Sequence, residues 1–155
     1  GWIDLLAWHP PSRTVLVVEV KTELHDLGQV ERTVGWYERE AWGAARRQGW
    51  RPAQVVSILL ALMTAAVDDR IVSNAAALVG SFPVRATRLA RWLERPDDGW
   101  QRGARGLALI DPRSRRRAWL RPSRSDGRRT PSPYLDYSDA VRRLSSGRPT
   151  RPVGR

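Results

Sequence analysis

Thr14-Val-Leu-Val-Val-Glu19-Val-Lys21-Thr22 sets an acid and the only lysine of the chain inside a run of β-branched and leucine residues, although the other 26 of the 27 basic side chains are arginine. A run this short reads as a β-strand buried on both faces, and because successive side chains alternate, Glu19 and Lys21 fall on the same face. Burying either ion alone costs several kcal/mol, so the pair must be met by a partner, a metal ion or a water-filled cleft. A structural ion pair is the plain alternative to a reactive site.

The preceding segment, Gly1-Trp-Ile-Asp4-Leu-Leu-Ala-Trp8, is a second apolar run with one acid, and His9-Pro-Pro-Ser-Arg13 is turn chemistry. An antiparallel hairpin with Pro10 to Arg13 as its loop sets His9 opposite Thr14, Trp8 opposite Val15, Leu6 opposite Val17 and Asp4 opposite Glu19. Two carboxylates in that relation repel unless something positive lies between them. A one-residue slip would send Asp4 to the other face. Oxygen-only ligands suit magnesium or manganese. Zinc fits poorly: there is no cysteine, and His9 and His25 have no ligand spacing.

Asp4 in one strand of a hairpin, followed by Glu19-x-Lys21 at the end of a hydrophobic strand, resembles the PD-(D/E)XK nuclease superfamily, over roughly residues 1 to 65. Ile3 stands where the family usually has proline. The resemblance implies an α/β, restriction endonuclease-like mixed β-sheet flanked by helices. The family's usual first helix and edge strand are missing, and the chain enters the hairpin at once, so a fragment or a degenerate member is expected. The implied activity is metal-dependent hydrolysis of nucleic-acid phosphodiester bonds, DNA in the first place, with Asp4, Glu19 and the Val20 carbonyl holding Mg2+ or Mn2+. Lys21 would orient the attacking water or stabilise charge on the phosphoryl group. A non-catalytic nucleic-acid-binding or structural domain of the same fold is the alternative.

After the strand, Leu24, Leu27, Val30, Val34, Tyr37, Ala41 and Ala45 recur at helical spacing, with Asp26 as N-cap and Gln29 placed to complete a capping box. Some exonuclease-like members of the superfamily carry a glutamine and a tyrosine on this helix near the metal. Gln29 and Tyr37 are the corresponding accessory candidates, with a different spacing, and Glu23 is a third. Capping and solvation are the competing roles for Gln29 and Glu23. Gly49 to Pro52 stops the helix, and residues 54 to 63 read as a parallel strand after a crossover. Two amphipathic helices, Arg70 to Leu78 and Val84 to Leu93, and a last strand at 106 to 110 complete a domain over residues 1 to 111.

Residues 1 to 60 hold seven basic and seven acidic side chains, residues 61 to 100 five and five, and residues 101 to 155 fifteen and four, so the net charge of +11 lies in the last third. Its Arg, Pro and Ser content predicts that residues 112 to 155 form a mostly disordered tail, with a short helix at Pro133 to Leu144. Arg113, Arg115, Arg116, Arg117 and Arg121 would attract phosphate backbones, and Trp119, Tyr134 and Tyr137 could stack on bases. Compositional bias toward arginine explains the tail equally well. Eight tryptophans suit a small core, and some would cover surface left open or face a partner chain or second copy. The run from Val55 to Val67 is too short to span a membrane, no signal peptide is read, and a cytoplasmic protein is expected.

Overall fold

The computed structural model describes residues 2–96, 99–115 and 119–146. Its centre is β2 (Thr14–Lys21), whose Val15, Val17 and Val18 are buried on both faces because the strand is covered on both sides and paired on both edges, while Val20 near its end is exposed. On one edge lies β1 (Leu5–His9), antiparallel, with Leu6 opposite Val17, Trp8 opposite Val15 and His9 opposite Thr14. The hairpin register is the expected one. The Arg13 N–H donates to the Pro10 carbonyl at 3.1 Å, and Ser12 bridges His9 and Thr14 through its hydroxyl.

From β2 the chain enters α1 (Leu27–Arg47), capped by Asp26, whose Oδ1 accepts the Gln29 N–H at 2.9 Å. The Gln29 side chain does not turn back to complete a capping box but reaches Thr33 and Arg32. Gly49, at φ 77°, turns the chain into a region that glycine enters without steric cost, and Trp50 then stacks on Trp8 with ring centroids 5.6 Å apart. β3 (Gln54–Leu62) follows, parallel to β2.

The apolar run leaves the sheet at Leu62 because the Thr64 hydroxyl accepts the Val67 N–H at 3.0 Å and caps α2 (Ala65–Ser73). A further helix, α3 (Ala75–Ser81), succeeds it, so the single helix expected from Arg70 to Leu78 is two, starting earlier. Then come β4 (Val84–Arg85), α4 (Ala86–Glu94) and β5 (Arg105–Ile110). β5 lies parallel to β3, and its outer edge is shared by β4, parallel, and β6 (Leu120–Arg121), antiparallel. The result is an α/β fold with one mixed sheet in the order β1-β2-β3-β5-β4.

Two cores sandwich the sheet. On one face Val30, Val34, Val67, Ile71 and Leu78 pack on Leu59 and Leu107, and on the other Leu89, Trp92 and Trp100 cover Val56, Ile58 and Ala108. Gly106 allows the close approach of α4, since a Cβ there would meet Leu89 Cδ2 at 3.2 Å. The expected spread of tryptophans is divided: Trp92 and Trp100 are buried, while Trp2, Trp36 and Trp119 are exposed. Among the described residues no helix is long and apolar enough to cross a membrane.

The expectation of a mostly disordered tail from residue 112 is corrected for residues 119–146. α5 (Tyr137–Ser145) forms near the expected position, and Leu120, Tyr134 and Ala140 are buried. The physical reason is long-range pairing. Asp68 of α2, itself fully buried, accepts from the Arg124 N–H at 3.0 Å, from the Arg128 guanidinium and from the Ser132 hydroxyl. Asp139 accepts the Leu135 N–H at 3.0 Å and is paired with Arg142 and Arg143. Arginines that read as surplus charge are therefore partly consumed in holding this segment to the sheet. Residues 147–155 lie outside the described residues.

Candidate functional site

The C-terminal end of β2 brings the charged residues together. β1 begins at Leu5 opposite Val18, and continuing that register by one residue sets Asp4 opposite Glu19. Asp4 Oδ2 accepts the Val20 N–H at 2.8 Å, so a carboxylate takes the place of the next backbone acceptor just where β1 stops. Lys21 Nζ is bonded to Glu19 Oε1, with the Glu19 side chain 3% exposed and that of Lys21 34% exposed. The pair thus spans from the interior to the surface.

Burial pushes the Glu19 carboxyl above its ordinary value; the hydrogen bond and charge of Lys21 pull it down, and Asp4 pushes it up again through its charge and a shared hydrogen bond. Carboxyl groups can share that bond only if one keeps a proton. With both ionised, Glu19 Oε2 is buried without a hydrogen-bond partner. This orphaned oxygen, beside a second carboxylate, is the type of donor a hard divalent cation satisfies. A strand residue turns its N–H and C=O to the same edge, so the Val20 carbonyl also points to the side that β1 has vacated. Asp4, Glu19 and Val20 therefore fit magnesium or manganese by donor chemistry. Among the described residues no group of three or more His, Asp or Glu side chains gathers as a ligand set.

Tyr37 joins this cluster from α1. It is buried, and burial, followed by the negative charge of Glu19 and then Asp4, pushes its phenol up, with Lys21 acting against them. The other accessory candidates turn elsewhere. Glu23 meets His25 Nε2 at 3.2 Å, and Gln29 is spent along the surface of α1.

The arginine candidates divide in the same way. Arg113 donates to the carbonyls of Arg143 and Leu144 and so fastens the end of α5. Arg115 is exposed and Arg121 half-buried, whereas Arg116 and Arg117 lie outside the described residues. Tyr134 is corrected as a stacking residue: it is fully buried and its hydroxyl donates to Asp111 at 2.9 Å. Tyr137 and Trp119 are exposed.

Sequence reasoning did not single out Arg70, which lines a cleft with Glu23, His25, Thr64 and Tyr137. No local signal joins these residues, since they come from three segments. Comparison with protein-family models, with curated proteins and with solved structures gives no match.

Proposed function

We propose that this chain is a metal-dependent nucleic-acid phosphodiesterase of PD-(D/E)XK type, on a restriction endonuclease-like fold, acting on DNA in the first place. The observation that carries the reading is the buried, unpartnered Glu19 Oε2 beside Asp4, with Lys21 bonded to the other oxygen of the same carboxylate. A hard cation is otherwise the missing complement of that oxygen. Asp4, Glu19 and the Val20 carbonyl would hold Mg2+ or Mn2+, which when bound lowers the pKa of water and offsets charge on a phosphoryl group. Lys21, partly exposed, presents an ammonium to the same mouth, where it orients an attacking water and stabilises the charge gathering on the phosphoryl oxygens. Tyr37, buried on α1 within reach of the charges of Glu19 and Asp4, would border the site from that side.

A second reading has its own observation. Asp4 is held by Val20, and Glu19 by Lys21, which is a set of bonds that can hold the end of the hairpin without a metal. A structural or purely nucleic-acid-binding domain would need no more. The test is digestion of supercoiled, linear and single-stranded DNA, with RNA alongside, in magnesium or manganese, for the wild type and Glu19→Ala. Cleavage that requires both metal and Glu19 is expected. A folded protein that cleaves none of these substrates favours the second reading.

A further inference from the structure

Beyond the C-terminal ends of β2 and β3 lies a cleft of about 210 Å³, lined by Glu23, Leu24, His25, Thr64, Val67 and Arg70, with Tyr137 of α5 at its rim. Outside the carboxyl ends of parallel strands is where open α/β sheets commonly bind ligands. Glu23 follows Lys21 by two residues, a span of at most about 7 Å. The cleft therefore adjoins the proposed site.

Its chemistry is divided. Leu24 and Val67, each 2% exposed, supply an apolar floor. The rim is polar and aromatic: Tyr137 is 42% exposed, and among the described residues no hydrogen bond or ion pair engages the Arg70 guanidinium. A flat ring fits an apolar floor beside an exposed tyrosine, and a free guanidinium beside it suits a phosphate. A base within a duplex presents no free face to such a cleft, whereas an unstacked one does.

We propose, resting on the phosphodiesterase reading of Asp4, Glu19 and Lys21, that this cleft is a subsite for one unpaired nucleotide next to the scissile phosphate. The base stacks on Tyr137 over Leu24 and Val67, and Arg70 takes a flanking phosphate. The substrate class is accordingly nucleic acid that is single-stranded at the site, such as a free strand, an overhang or a flap. Tyr137 is brought there because the Tyr134 and Leu135 carbonyls accept the Ala65 and Ala66 N–H groups at the start of α2, at 2.9 and 3.0 Å.

The test is binding of the full chain to a 2-aminopurine-labelled single strand and to its duplex in the presence of EDTA, so that no hydrolysis intervenes. The expected result is tighter binding to the single strand, with quenching of the base analogue. Tyr137→Ala should weaken that binding by about five-fold to a hundred-fold while leaving the duplex unaffected, the range corresponding to loss of one base–aromatic stack. Tyr137→Phe should bind as the wild type does. Arg70→Ala should weaken single-strand binding and flatten its salt dependence by about 0.7 in log–log slope. Equal binding by Tyr137→Ala and wild type, an equal loss in Tyr137→Phe, or no single-strand binding by the wild type overturns the proposal. The same strands with magnesium or manganese separate the two readings. Glu19-dependent cleavage indifferent to Tyr137 removes the subsite alone, and Tyr137-dependent binding without cleavage removes the hydrolytic reading alone.

Discussion

Asp4 Oδ2 accepts the Val20 N–H at 2.8 Å and thereby ends the β1–β2 ladder with a side chain instead of a backbone carbonyl. The same residue serves the strand and the proposed cation, and isosteric substitution separates the two roles. Asp4→Asn keeps an acceptor for Val20 and should retain wild-type stability to within about 0.5 kcal/mol. Asp4→Ala should lose about 1 kcal/mol. Neither should gain stability from manganese. Thermal melts with and without the metal read both effects, and equal melting of the two variants without metal would show that the bond contributes nothing.

Glu19 has a raised pKa, chiefly through burial. The folded state then holds the proton more tightly than the unfolded chain, so this group's stabilising contribution is fully present below pH 4.5 and is lost as pH rises through the elevated folded value. At pH 7 the ionised carboxylate is a net liability. Glu19→Gln should therefore be more stable than wild type there, by roughly 0.5–2 kcal/mol, as is common when a strained functional group is neutralised. The advantage should shrink toward pH 4.5. A saturating divalent cation should reverse the order by stabilising the wild type alone, by about 2.7 kcal/mol at a hundred times Kd. Melting curves over pH and metal concentration test this, and a variant less stable than wild type at pH 7 without metal would contradict it.

Lys21 is bonded to Glu19 yet one-third exposed. Lys21→Met should abolish turnover and leave metal-dependent stabilisation largely intact, because the oxygen ligands remain. Turnover by this variant at the wild-type rate would remove Lys21 from the chemistry.

Asp139 has a lowered pKa. Burial works to raise it, and the Leu135 N–H together with Arg143 and Arg142 overcomes that effect. Its stabilising contribution is present above pH 3.8 and is lost as pH falls through the lower folded value. Asp139→Asn should cost about 1.5–3 kcal/mol at pH 7, the range for hydrogen bonds to a charged group. The gap should close in strong acid. Denaturant unfolding at both pH values measures it.

The side chains of Arg115, Arg121 and Arg129 make no hydrogen bond or ion pair among the described residues, unlike those of Arg113, Arg124, Arg128 and Arg142. If nucleic acid follows this surface, replacing the three with alanine should reduce the salt slope of duplex binding by about 0.9 for each phosphate no longer neutralised, with no change in melting temperature. An unchanged slope would place the phosphate-binding surface elsewhere.

Much of the hairpin was legible because both of its determinants are local. Pro10 to Arg13 define the loop, and the alternation from Thr14 to Lys21 leaves one register that buries Val15 and Val17. The proximity of Asp4, Glu19 and Lys21 followed from that register, as did α1 from Asp26 and its apolar stripe. Thr64 was harder to read. Its cap lies inside an apolar run that continues on both sides, so strand and helix could not be divided by pattern alone. The order of the C-terminal segment is not legible in composition because it comes from pairs such as Asp68 with Arg128, 60 residues apart.

The burial of Asp68 also orders events in time. α2 is synthesised with an acid on its inner side, and the groups that neutralise and bond it, Arg124, Arg128 and Ser132, emerge from the ribosome only 56 to 64 residues later. Until then Asp68 has none of these partners, and burying it unpaired would cost several kcal/mol. A nascent chain that stops short of Ser132 therefore lacks part of the set that bonds Asp68. The burial of Asp68 is completed only by the arginine-rich segment that follows it 56 to 64 residues later.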